Sequence, residues 1–67
     1  MTPTYEEEAR FVLVRAIFQI KKQGTLEAAL VKRLKGFGYH YLKRNFFSLY
    51  PEFRKELEEI EVVLRSD

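Results

Sequence analysis

Apolar residues recur along the first third of the chain at Ala9, Val12, Leu13, Ala16, Ile17 and Ile20, the spacing that lines one face of an α-helix. Phe11, Val14 and Phe18 form a second stripe on a different side of the same helix. A helix that is apolar on two sides is either central to a bundle or shared with a second subunit. Thr4 through Glu7 has the form of a capping box, in which the hydroxyl caps the first turn and Glu7 reaches back to the cap's N–H. Glu6, Glu7 and Glu8 suit the positive end of the helix dipole, Lys21 and Lys22 suit the negative end, and Gly24 is a natural stop. These signals predict a first helix over about residues 5–23.

Three shorter helices are expected after it. Thr25 can cap a helix over about 26–35, with Leu26, Leu30, Val31 and Leu34 facing inward. Gly36-Phe37-Gly38 then reads as a tight turn with positive φ at Gly38 and Gly36 and with Phe37 plugging the core. A third helix over about 39–49 directs Leu42, Phe46 and Leu49 inward. Tyr50-Pro51 breaks it, because the residue before proline is pushed out of the α region, and Pro51 suits the first position of a fourth helix over about 51–65. There Phe53, Leu57, Ile60 and Leu64 form the inner face, while Arg54–Glu58, Lys55–Glu59 and Glu61–Arg65 are spaced as exposed ion pairs. No segment shows strand periodicity. The expected fold is all-α: a single domain over residues 1–67, a compact bundle of about four helices containing a helix-turn-helix.

Composition narrows the chemistry. With 67 residues the chain is near the lower limit for burying a self-sufficient core, and it has no cysteine with which to staple one. Stability is therefore expected from apolar burial, self-association or both. One histidine and no thiolate exclude the usual structural zinc site, so neither metal nor cofactor is expected. No nucleophile–base–orienter set can be assembled around His40, which points away from catalysis. The glutamates of the last helix alternate with Arg and Lys and read as an ordinary ion-pair face. Phe11 to Ile20 is too short to span a bilayer, and the acidic N-terminus is unlike a signal peptide, so a cytoplasmic protein is expected.

A net charge of +2 conceals an asymmetry: no acidic residue stands between Glu27 and Glu52, whereas Lys32, Arg33, Lys35, Lys43 and Arg44 all do. The second and third helices, joined by a glycine turn, thus form a basic surface of the kind a helix-turn-helix presents to duplex DNA. On a helical wheel His40, Lys43, Arg44 and Phe47 project away from the core face, with Asn45 near the margin. Arg reads guanine, Asn reads adenine, and an exposed ring touches the thymine methyl. Lys32, Arg33 and Lys35 would hold phosphates and so set affinity and salt dependence. Tyr39, Tyr41 and Phe47 are also candidates for stacking on single-stranded bases, against packing as the competing use.

The runs Thr25-Leu-Glu-Ala-Ala-Leu30, Leu34-Lys-Gly-Phe-Gly38, Tyr41-Leu-Lys-Arg-Asn-Phe46 and Pro51-Glu-Phe-Arg-Lys55 resemble the second half of an AraC-type DNA-binding domain over about thirty residues. A TetR-type reading of the segment is nearly as good. The likeness implies a recognition helix after the Gly-Phe turn, with His40, Lys43 and Arg44 as base or backbone contacts. The turn is shorter than the family's, and its companion helix-turn-helix is missing. The expected function is a small regulator that binds double-stranded DNA as a homodimer, with Phe11, Val14 and Phe18 at the dimer interface. The alternative is a small interaction module, an adaptor or inhibitor that docks on a protein partner through its apolar helix.

Overall fold

The computed structural model describes residues 2–66. Four α-helices follow in order: α1 (Tyr5–Gln23), α2 (Ala28–Phe37), α3 (Tyr39–Phe46) and α4 (Arg54–Arg65). Single 3₁₀ turns at Phe47–Leu49 and Pro51–Phe53 link α3 to α4. There is no strand among the described residues, and the fold is an all-α bundle. Its radius of gyration of 11.0 Å matches the roughly 11 Å of a close-packed domain this long.

The first helix forms where its end signals lie. The Thr4 hydroxyl accepts the Glu7 N–H at 3.1 Å and the Glu7 carboxylate accepts the Thr4 N–H at 2.9 Å, which completes the capping box. The Thr4 backbone N–H, foremost, and then the Thr4 hydroxyl beside it hold the Glu7 carboxyl below its usual range. At the other end Gly24 adopts the left-handed conformation, φ 81°, and its N–H bonds back to Ile20. The stripe Ala9, Val12, Leu13, Ala16, Ile17 and Ile20 is buried. It meets Leu30 and Leu34 of α2, Leu42 and Phe46 of α3, and Leu57, Ile60 and Leu64 of α4 in one core. No polar or charged side chain is buried among the described residues, so the core is held by apolar packing alone.

The later helices depart from the sequence reading in several places. The second begins at Ala28, not Leu26, and Thr25 does not cap it. Glu27 is the flanking residue, and its partner comes from α1: Gln19 Oε1 accepts the Glu27 N–H at 2.7 Å while Gln19 Nε2 donates to Glu27 Oε1 at 3.2 Å. With that end secured across helices, Thr25 and Leu26 serve as linker and Leu26 packs on the edge of the core. Gly36 is not a turn residue; it lies inside α2, and the turn is Gly38 alone, at φ 97° and ψ 129°. Gly38 N–H bonds to Leu34 and its carbonyl accepts from Leu42, so one residue ends α2 and starts α3.

The third helix stops at Phe46, where φ reaches −126°, and the chain tightens into a 3₁₀ turn. That change of phase brings Phe47 against the core and leaves Leu49 56% exposed, contrary to its expected inward placement. Tyr50 leaves the α region before Pro51, as its position requires, but the regular helix resumes only at Arg54. On α4, Arg54–Glu58 and Glu61–Arg65 pair at 3.5 Å each; Lys55–Glu59 is not among the ion pairs of the described residues.

Candidate nucleic-acid interface

The α2–Gly38–α3 segment carries all of the basic candidates, but the fold treats them differently. Lys32 is exposed on α2 and forms no ion pair among the described residues. Its neighbour Arg33 bridges to Glu8 of α1 at 2.8 Å. Lys35 Nζ donates to the Ser66 carbonyl at 2.8 Å, which ties the end of α2 to the end of α4. The segment that lacks acids in sequence therefore has them in space, supplied by the first and last helices.

On α3, positions 40, 43 and 44 share one face at 100° per residue, position 45 falls on another, and Phe47, expected with them, lies beyond the helix in the 3₁₀ turn. His40 is exposed, with its ring edge-on to Tyr39 at 4.9 Å. Arg44 is exposed and forms no ion pair among the described residues. Asn45 donates its amide to the Tyr41 carbonyl at 2.8 Å, one turn back, so that donor is already committed. Phe47 is half-buried against the core. The structure thus brings His40, Lys43 and Arg44 together on α3 and sets Asn45 apart.

Lys43 belongs to a cluster that periodicity did not reveal. Tyr39 donates its hydroxyl proton to Glu61 Oε2 at 2.8 Å. Lys43 Nζ lies 3.2 Å from the Tyr39 oxygen and 3.4 Å from the same Glu61 oxygen, and Arg65 approaches that oxygen at 3.5 Å. The hydrogen bond from Tyr39 chiefly lowers the Glu61 carboxyl, aided by Lys43 and Arg65. Conversely, the Tyr39 hydroxyl and then Glu61 raise the Lys43 ammonium. The sequence hints were two i,i+4 pairs, Tyr39 with Lys43 and Glu61 with Arg65; what joins them is tertiary, since Glu61 lies 18 residues beyond Lys43.

The aromatic residues considered for base stacking are mostly in use. Tyr41 sits between Tyr5, at 5.5 Å between ring centres, and Phe46, at 5.8 Å. Burial there, then the Glu6 charge, raises its phenol above the ordinary value. Tyr39 is held by Glu61, as described. No group of three or more metal-ligating side chains is assembled among the described residues.

The second apolar stripe lies opposite the core. Phe11 is 71% exposed and Phe18 53%, while Val14 is half-buried. Phe18 is partly covered within the same chain, meeting the Phe53 ring edge-on at 5.6 Å. Phe11 and Val14 line an open groove together with Pro3, Tyr50 and charged residues of both signs. Among the described residues no helix is long and apolar enough to cross a membrane. Comparison of the chain with protein-family models, with curated proteins and with solved structures found no match.

Proposed function

We propose that the chain is a small helix-turn-helix DNA-binding protein, a transcriptional regulator that works by binding and not by catalysis. The observation that carries this reading is the exposed pair Lys32 and Arg44, cations without an ion-pair partner among the described residues, on two short helices joined by one glycine. A point charge on α2 suits a phosphate, and a guanidinium on α3 suits a guanine edge. Arg33 and Lys43 add to the field but must first exchange Glu8 and Glu61 for phosphate, an exchange costing at most about 1 kcal/mol for exposed pairs. A cysteine-free chain suits the reducing cytoplasm, where such a regulator acts.

The test is fluorescence anisotropy on random and selected duplexes over a salt series. Lys32→Ala is expected to weaken binding to all sequences alike and to reduce the slope of log affinity against log salt by roughly one. Arg44→Ala should cost about 1–3 kcal/mol on a preferred site and much less on random DNA. Absence of salt-sensitive binding to any duplex at low ionic strength would falsify the reading. A second reading, a protein-interaction module, is favoured by the exposure of Phe11 and Phe18 on one helix face. A partner that binds in the absence of DNA, with affinity insensitive to salt, distinguishes it.

A further inference from the structure

We infer that the outer face of α1 binds a second copy of this chain, with the two helices antiparallel about a two-fold axis near Val14. The face follows the three-and-four spacing of a helix-pairing seam: Glu7, Phe11, Val14, Phe18, then Lys21 and Lys22 at its end. Its character changes along its length, acidic at the start, apolar in the middle and basic at the finish. Reversing one copy against another sets Phe11 opposite Phe18 and Glu7 opposite Lys22. The midpoint of each pair falls at the same place, between Val14 and Arg15. A shared centre is what a two-fold interface demands, since each residue must meet a partner that meets it in return. In a parallel pairing Glu7 would face Glu7 and Lys22 would face Lys22, and the helix dipoles would add unfavourably.

The exposed surfaces suit this arrangement. One Glu7 oxygen takes the Thr4 N–H, and the other makes no bond among the described residues. Lys21 is drawn over the Phe53 ring at 5.3 Å, which leaves Lys22 as the outward ammonium at that end. The edge contact with Phe53 also fixes how Phe18 stands out from α1. The chain exposes 4960 Å², some 500 Å² more than the roughly 4,450 Å² of a monomer of this mass. A standard dimer buries about 800 Å² per partner, a sixth of that surface, and a 19-residue helix offers a strip about 28 Å long toward it. One helix face with its Tyr50 flank is the whole of the proposed surface, and dimerisation in the micromolar range is expected. The inference stands apart from DNA binding, because none of its residues lies on α2 or α3.

Sedimentation equilibrium of the whole chain, followed by cysteine cross-linking, tests both the dimer and its direction. The parent is expected to reach twice its 8.0 kDa mass at high micromolar concentration, and Phe11→Asp to raise the dissociation constant roughly a hundredfold with an unchanged helical melt. The chain has no cysteine, so each introduced thiol is alone. Val14→Cys should oxidise to a linked dimer. Phe11→Cys and Phe18→Cys should each remain unlinked alone and link when mixed, because Cα atoms more than about 7 Å apart cannot be bridged. A monomeric parent mass at high micromolar concentration overturns the dimer. Equal self-linking by all three variants overturns the antiparallel arrangement.

Discussion

Two glycines two residues apart make opposite demands on the backbone, and alanine at each distinguishes them. Gly36 lies in the last turn of α2 with an ordinary helical φ, and a Cβ built there meets nothing within 4 Å. Alanine at 36 should therefore stabilise the protein by roughly 0.5–1 kcal/mol, through helix propensity and a less entropic unfolded chain. Gly38 also has open space for a Cβ, so any penalty there cannot be a clash with neighbours. It comes from the backbone itself, because φ 97° with ψ 129° is a region that L-residues rarely enter. Such a residue costs about 1–3 kcal/mol if the fold holds it there. The two variants should then differ by roughly 1.5–4 kcal/mol, which for a domain of this size separates their melting temperatures by about 6–32 °C. Circular dichroism melts, checked against urea unfolding for two-state behaviour, measure the gap directly. If Gly38→Ala melts with the parent, the single-residue turn is wrong and with it the angle between α2 and α3.

Two further outcomes follow from contacts between helices. Gln19→Ala removes both bonds of the clasp on Glu27 and should cost about 1 kcal/mol, read as a melting temperature lower by roughly 4–8 °C; an unchanged melt would show that water replaces the clasp at no cost. The Glu61 carboxyl is held below its ordinary value of 4.5, so its contribution is complete above that pH and is lost as pH falls through the lowered value in the folded state. Tyr39→Phe removes the principal cause, and its urea midpoint should fall less than the parent's between about pH 6 and about pH 3; parallel declines would refute the assignment.

What could be read from the residues divides according to whether the signal is local. The first helix was legible to the residue because its cap, its stripe and its stop all lie within it, from Thr4 to Gly24. The buried set was legible for the same reason, as periodicity at Leu30, Leu34, Leu42, Phe46, Leu57, Ile60 and Leu64 already gives the inward face. The start of α2 was not, because Thr25 is an acceptable cap in isolation and lost only to a glutamine one helix away. Gly36 and Gly38 are equally good turn residues by composition; which one bends depends on where the core needs Tyr39 and Leu42. Leu49 missed the core because a change to 3₁₀ geometry at Phe46 shifted the phase, and the pattern of apolar positions carries no mark of that shift.

The same division governs the candidate interface. A stretch of sequence without acids predicts a uniformly basic surface only if nothing folds against it, and here α1 and α4 both do. Glu8 reaches Arg33 across 25 residues, and Glu61 reaches Lys43 across 18. Each of these cations therefore has a structural partner as well as a possible ligand, and the two uses compete for the same donors. Exposed pairs of this kind are worth at most about 1 kcal/mol, so they align the helices without locking the charges away. Lys32 and Arg44 face no such competition among the described residues and are the more sensitive reporters of any polyanion. Separating the two sets of cations is what makes the DNA reading testable: a loss that is the same on every duplex for all four is a response to net charge, whereas a loss at Arg44 that depends on the duplex sequence marks a ligand seated on α3.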